Sequence, residues 1–464
     1  MKAKIDKAKI ADKIFNAVGP IVYIPELDEL RSYGEGIYIP ALNPIRGEIR
    51  KRCRNANRFI IEEILSHLRD TQGHSLKEFD AKPEILNLRN GLLNLRTGKF
   101  VSHQPKYLSL CQLPIEYDPK AKCSNIDRFL HEIAKPEDVS ALYEIAGYCL
   151  WRFYPIQVFV FLLGDGSNGK STYLSLLRAF LGKENVSHVT IQGLANNRFS
   201  PAELQGKFAN LSADIPSRGL LETGMVKSLV GGDAVTVERK YGHPFSFINY
   251  AKLIFSGNQL PASPDESDAW FRRYFSIDFP HEFSKAKGNM DPETLAKLTT
   301  AAELSGLLNV ALDSLLGRKG LLERKEFTGT KSLEAQRHDY RMRSDSVYAF
   351  SRIQLVFDPE YEAWLPKQEV YEGYLKFCAE TKRSPLSQRV FYEHLSRIVP
   401  VEDYYASERE EGDRERRKAW KGIRWVGSVR STYEVTLEST KDEKIVGERT
   451  GENPNVPNQI ETLP

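Results

Sequence analysis

The sequence predicts a mixed α/β protein built around a mainly parallel sheet, and three observations carry that prediction. Buried-type runs recur as VFVFLL, FANLSA, AKLIFSG and YFSIDF between about residues 153 and 320, with helical patterns among them. Such alternation is the mark of parallel strands joined by helices. The first run leads straight into GDGSNGKST, in which Gly164, Gly169, Lys170 and Ser171 satisfy G-x-x-x-x-G-K-[ST]. The helix-like STYLSLLRAFLG follows, so the motif has the strand–loop–helix context of a phosphate-binding loop.

At 464 residues the chain is long enough for two to four domains. Residues 1–120 read as a small α+β domain. Within it Phe59–Asp70 has helical spacing, and GLLNLRTGKF reads as a hairpin turning at Thr97-Gly98. Its first stretch, MKAKIDKAKIADKIF, is basic and amphipathic and reads as a surface helix. Residues 121–152 carry apolar residues at helical spacing in IDRFLHEIA and LYEIAGYCLWRF, a helical collar or linker. The α/β core is expected over 153–320, with helix returning at Pro292–Leu316. A charged linker (321–344), a second folded unit (345–430) and a polar, disordered tail (431–464) complete the chain.

The charges nearly balance: 65 Lys and Arg against 62 Asp and Glu. Basic residues nevertheless cluster at Arg46–Arg58, Arg337–Arg343 and Arg414–Arg424. Local clusters on a near-neutral chain suit contact with nucleic acid at chosen places, although a solvated face explains any one of them alone. The five cysteines form no C-x-x-C pair, which argues for reduced thiols, a reducing compartment such as the cytoplasm and no zinc site. No apolar run approaches the ~20 residues of a membrane helix, so no membrane partner is expected.

Each part of the loop has a chemical task. Backbone N–H groups of Gly164, Asp165, Gly166, Ser167, Asn168 and Gly169 turn toward the phosphates of a nucleoside triphosphate. Lys170 brings a point charge to the β- and γ-phosphates. The Ser171 hydroxyl can ligate Mg²⁺, and Thr172 continues the first helical turn, whose partial positive charge faces the anion. The metal needs an acid at the end of a neighbouring strand. Asp214, closing KFANLSAD, is the best candidate, although Asp-Ile-Pro is also a turn sequence. Glu222, expected on the next helix, is a weaker one, and which group activates water stays open. Asn258, after KLIFSG, is placed to sense the γ-phosphate or to turn the chain before Pro261. Arg272 and Arg273, in AWFRRYFSIDF, are candidates for a guanidinium that reaches a neighbouring subunit's γ-phosphate, or for a salt bridge to Asp265, Glu266 or Asp268. VTVERKYGHPFSF reads as a hairpin whose tip carries Arg239, Lys240, Tyr241 and His243, cations and an aromatic suited to phosphates and bases.

Taken in order, GDGSNGKST, SADIP, VKSLVGGDAVTVERKY, KLIFSGNQLP and ESDAWFRRYFSIDFP resemble the superfamily three helicases. They most resemble the helicase part of the phage and plasmid primase-helicases, related to the poxvirus-type enzyme. LNLRNGLLNLRTGKFVSHQPKYLSLCQLPIEYDPKA, followed by YEIAGYCLWRF, resembles the domain before the motor in that family, so the similarity spans about residues 80–320. The resemblance implies an AAA+-type hexameric ring that hydrolyses ATP with Mg²⁺ and moves along single-stranded or forked DNA. It assigns Lys170, Ser171 and Thr172 to the phosphate loop, Asp214 to the metal, Asn258 to the sensor, Arg272 or Arg273 to the finger acting in trans, and Arg239, Lys240, Tyr241 and His243 to the pore. No paired-acid motif with a following His stands in the preceding ~80 residues, so a primase or polymerase is expected as a separate partner.

The C-terminal unit reads as helix, turn, helix and basic hairpin: WLPKQEVYEGYLKFCA, LSQRVFYEHLSRIV and RKAWKGIRWVG. That is the order of a winged helix, with Arg389, Tyr392 and Arg397 expected to face DNA. Two other functions share parts of this pattern. A DNA-binding ATPase switch for origin recognition or loading would carry every motif without unwinding. A small-molecule P-loop kinase would leave the hairpin, the arginine pair and the basic unit without a task.

Overall fold

The computed structural model describes residues 7–53, 56–216, 219–263, 265, 267–284, 288–289, 291–361, 363–410 and 413–426. The polar tail expected from residue 431 lies outside them. The chain divides into two units, Met1–Ser344 and Asp345–Pro464.

The four apolar runs become parallel strands of a single sheet: Phe159–Leu163, Ala209–Ser212, Lys252–Gly257 and Tyr274–Asp278. A short edge strand, Val186–Ser187, adds to them. Across the sheet the order is Tyr274–Asp278, Phe159–Leu163, Lys252–Gly257, Ala209–Ser212, Val186–Ser187, and every pairing is parallel. The strands leading into the loop and into Asn258 are buried on both faces. That is why they read as unbroken apolar runs and not as alternation.

Two helices before the sheet, Ser124–Ile133 and Val139–Cys149, pack into the same core as the strands. The helix Ala301–Leu316 closes over them. It approaches Val139–Cys149 so closely that a Cβ on Gly147 would lie 2.3 Å from the Ala311 carbonyl oxygen. Glu303 on that helix also accepts hydrogen bonds from the backbone N–H groups of Asn125 and Ile126, at 3.1 and 3.0 Å. A carboxylate there meets the positive end of the helix that Ser124 begins.

The expected N-terminal domain has two parts. The helices Lys7–Val18, Leu42–Arg52 and Arg58–Thr71 share a core of their own with Ile21 and Leu30. The first helix is not wholly a surface helix, because Ile14 is fully buried. The strands Ile85–Leu88, Gly91–Asn94 and Phe100–Val101 form an antiparallel sheet with the anticipated turn at Gly98. Leu86, Leu88 and Leu93 of this sheet belong to the same core as the parallel sheet.

The segment expected to be a charged linker is helical, with helices at Leu321–Arg324 and Leu333–Ser344. Glu144, buried on Val139–Cys149, accepts hydrogen bonds from Arg324 and from the Thr328 hydroxyl, both at 2.6 Å, and from the Thr328 N–H at 2.8 Å. Tyr340 is buried against Trp270, Phe271 and Tyr274. Charge on the exposed face hid these anchors from a pattern search.

The second unit runs helix Ser346–Gln354, strand Leu355–Phe357, strand Leu365–Pro366, helices Lys367–Glu380 and Gln388–Ile398, and strands Glu402–Glu410, Asp413–Lys421 and Ile423–Trp425. Its hairpin pairs Glu402 with Lys421 through Glu410 with Asp413, so it begins earlier than the expected RKAWKGIRWVG. Phe350, Tyr374, Phe391 and Trp420 form its aromatic centre. Among the described residues of both units, no helix is long and apolar enough to cross a membrane.

Candidate functional site

Strand register gathers the predicted residues at the carboxyl edge of the sheet. Leu163 pairs with both Gly257 and Asp278, so Gly164, Asn258 and Phe279 are the next residues on three neighbouring strands. Ser212 pairs with Phe255, which brings Asp214 level with Gly257. The Ile215 N–H donates to the Ser256 carbonyl at 2.9 Å, fixing the turn at Asp214. Ligands of open parallel sheets bind outside this edge.

The loop between Leu163 and the helix Lys170–Leu181 is anchored from three sides. The Phe279 N–H donates to Leu163 at 2.7 Å, the Asn168 side chain donates to the Phe279 carbonyl at 3.2 Å, and the Phe283 N–H donates to Ser167 at 2.6 Å. Gly169 has φ +90°, and a Cβ there would lie 2.5 Å from Ile133 Cγ2. Only glycine serves at such a position, where left-handed backbone and close approach coincide. Lys170 is buried, and its Nζ donates to the Gly164 carbonyl at 2.6 Å and to Asn168 Oδ1 at 2.9 Å. The ammonium is thereby held across the concave side of the loop. Burial lowers its pKa, while the carboxylates of Asp214 and Asp165 pull it back up.

Asp165, Gly166, Ser167, Ser171, Asp214 and Asn258 are exposed at this edge, Thr172 is half-buried, and Asp214 is in left-handed backbone at φ 50°. The cationic loop, the helix start and a carboxylate beside them can bind a triphosphate with its divalent cation. Glu222 precedes the helix Gly224–Gly231 and is not on it, correcting the expected position.

The structure brings Arg272 and Arg273 to the opposite edge. Arg273 immediately precedes Tyr274, which pairs with Phe159 at the amino end of the loop's own strand. The five residues Phe159–Leu163, roughly 16 Å of strand, separate this edge from Gly164. The two arginines differ in environment. Arg273 is buried and donates to the Ala269 carbonyl at 2.6 Å and to Gln157 at 3.4 Å. Burial, then the neighbouring Arg272, lowers its pKa. Arg272 is exposed, and among the described residues nothing pairs with it. The expected salt bridges go elsewhere. Asp265 binds Lys227 at 2.6 Å and Thr223 at 2.7 Å, Asp268 binds Arg337, and Glu266 lies outside the described residues. Burial pushes Asp265 up, but hydrogen bonds from Lys227, Ser267 and Thr223 outweigh it and hold the carboxyl well below the usual range.

The hairpin Ala234–Val237 with Phe245–Ile248 projects Lys240, Tyr241 and His243 into solvent, Tyr241 at 95% exposure. Arg239 is exposed but partly committed, donating to Gln205 at 2.7 Å and lying 4.8 Å over the Phe245 ring. In the second unit Arg389 and Arg397 are exposed, with Arg389 paired to Glu393 at 3.1 Å. Tyr392 is half-buried, with its ring 5.3 Å from Trp420, and packs in place of standing free.

Asp278, beside the loop, was not anticipated. Arg343 donates to both its oxygens, at 2.6 and 2.9 Å. Burial pushes the Asp278 pKa up, and Arg343 more than reverses that. The acid is visible in YFSIDF, but its partner stands 65 positions away.

Residues 162–273 match a family of unknown function (DUF5906), and residues 6–135 match the family described as D5 N terminal like. Over 238 residues the chain is 27% identical to "Putative helicase L207/L206" of Acanthamoeba polyphaga mimivirus. That alignment covers 48% of this chain and 25% of the viral protein, so the chain spans about a quarter of the curated relative it matches. Among solved structures, the A form of the apo NrS-1 C-terminal region is 12% identical and aligns over 90% of this chain and 99% of that one, with a TM-score of 0.49. Another apo structure of that region is 13% identical over the same shares, with a TM-score of 0.48.

Proposed function

We propose that the chain is an ATP-driven DNA helicase or translocase of a virus or plasmid replication system, related to the superfamily three, AAA+-type primase-helicases and working in the cytoplasm as a hexameric ring. The observation that carries the proposal is the loop Gly164–Gly169 at a parallel-strand end, with Lys170 Nζ held over it and Asp214 close enough to act on the lysine's charge. That loop would hold the phosphates of ATP, and Ser171 and Asp214 would hold Mg²⁺, which would neutralise charge developing on the phosphates. Asn258, just past the end of the adjacent strand, would sense the γ-phosphate. The name of the viral relative, a helicase, supports the same reading.

Arg272 is the better finger of the two, because it is exposed and unpaired among the described residues while Arg273 is committed to its own chain. It stands too far from its own loop to reach it, and only a neighbour's γ-phosphate comes within range. Lys240, Tyr241 and His243 carry the DNA strand, with Arg239 bracing the tip. We read the second unit as a winged-helix-like domain, from its two helices followed by a hairpin, and assign Arg389 and Arg397 to duplex contact there.

Lys170→Ala is expected to abolish DNA-stimulated ATPase, a loss of at least about 100-fold, while oligonucleotide binding persists. Phosphate release and fluorescence anisotropy on the same preparation check this. Full ATPase in the variant would sink the assignment. Strand displacement on forked DNA separates the motor from a loading switch, which would hydrolyse ATP and displace nothing.

A further inference from the structure

The basic cluster of the N-terminal helices has no place in the motor. Its helices, Leu42–Arg52 and Arg58–Thr71, are joined by a short connection. Arg46 on the first reaches Glu62 on the second at 2.7 Å. One turn nearer the connection on each helix, the corresponding residues are Arg50 and Arg58. There a cation stands where the balancing carboxylate would be. Both are exposed, and neither has a partner among the described residues. The nearby acids are already engaged: Glu48 holds Lys51 at 2.7 Å and Arg52 at 3.2 Å, and Glu62 also has Arg69 at 3.9 Å.

Arg58 is also the first residue of its helix, and no acidic residue stands in that first turn. A cation there opposes the helix dipole, an arrangement that an added anion relieves. The next residue, Phe59, is 69% exposed, an apolar ring open to solvent in the same first turn of the helix. Phosphate-binding cations next to an open aromatic face are the two components of a single-strand platform.

We propose that Arg50, Arg58 and Phe59 form a second contact for single-stranded DNA, with the arginines on the backbone phosphates and a base stacked on Phe59. The choice of DNA rests on the motor reading above, whereas the phosphate-and-base chemistry rests on these residues alone.

The test is anisotropy of a labelled oligo-dT with the full chain across a salt series. The R50A/R58A variant is expected to bind about tenfold more weakly at low salt. Its plot of log affinity against log salt should be shallower by about 1.4, two phosphate contacts on a single strand. Phe59→Ala should weaken binding about fivefold or more with the slope unchanged. R50K/R58K should keep the wild-type slope, because the charges remain. Wild-type affinity and slope in R50A/R58A would overturn this inference while leaving the motor intact. If the wild-type chain hydrolyses ATP but binds no oligo-dT, the inference and the DNA assignment fall together. DNA-independent ATPase should be unchanged in R50A/R58A, which shows that the nucleotide site is untouched.

Discussion

Lys170 and Lys252 are both buried lysines, one at the start of the helix after the loop and one in the sheet, yet their surroundings differ. Lys170 has Asp214 and Asp165 nearby to sustain its charge. Lys252, at the amino end of the central strand, has no carboxylate partner among the described residues. Its Nζ donates to the Trp151 carbonyl at 2.6 Å and the Tyr250 carbonyl at 2.7 Å, and it lies 4.7 and 4.8 Å over the Tyr148 and Tyr154 rings. Burial pulls its pKa down to about 7. The unfolded value is about 10.4, so between these two the unfolded chain binds the extra proton. Stability therefore rises with pH across that window and is lost as pH falls through the folded pKa. The rise due to Lys252 is expected to reach about 1.4 kcal/mol per pH unit and to be absent in Lys252→Met. Denaturant midpoints at pH 7, 8 and 9 for both chains measure it. At this scale the sequence was informative for Lys170, which sits in a contiguous motif, and silent for Lys252, whose acceptors and rings come from residues 148–154 and 250.

Elements whose anchors are distant in sequence were the hardest to foresee. The helices from Leu321 to Ser344 read as a charged linker because their outward residues are charged, but Tyr340 and Arg343 fasten the later helix and a carboxylate on another helix fastens the start of the segment. Glu144→Ala is expected to cost about 3 kcal/mol, since it leaves Arg324 and both Thr328 donors without their acceptor. Glu144→Gln should cost clearly less, because an amide oxygen still accepts. Urea unfolding of the two variants checks the difference. Four strands of the sheet were legible because each is largely buried and writes its own apolar run. Glu402–Glu410 was not, because charged residues stand at both its ends, no apolar run marks it, and it is held by pairing with Asp413–Lys421. The short edge strand Val186–Ser187 was missed for want of length.

For the whole molecule, the two ends of one sheet carry different halves of the proposed reaction. The loop and Asp214 stand at the carboxyl edge and Arg272 at the amino edge, so in a ring each chain supplies an arginine to one neighbour and receives one from the other. Arg272→Ala and Lys170→Ala are each expected to be inactive alone. Mixed in equal amounts, they should recover ATPase on the order of a quarter of wild type, from junctions that pair an intact loop with an intact arginine. Steady-state ATPase across mixing ratios tests this, and no recovery at any ratio would place the arginine's action elsewhere. The helix Leu333–Ser344 adds a mechanical consequence. Arg343 grips the strand end beside the loop, the helix stops at Ser344, and the next helix starts at Ser346 with Asp345 as its cap. Within the first unit this grip ties the far end of a helix to the strand running beside the loop's own, so a displacement of that strand end is carried into Leu333–Ser344 and not absorbed by slack chain.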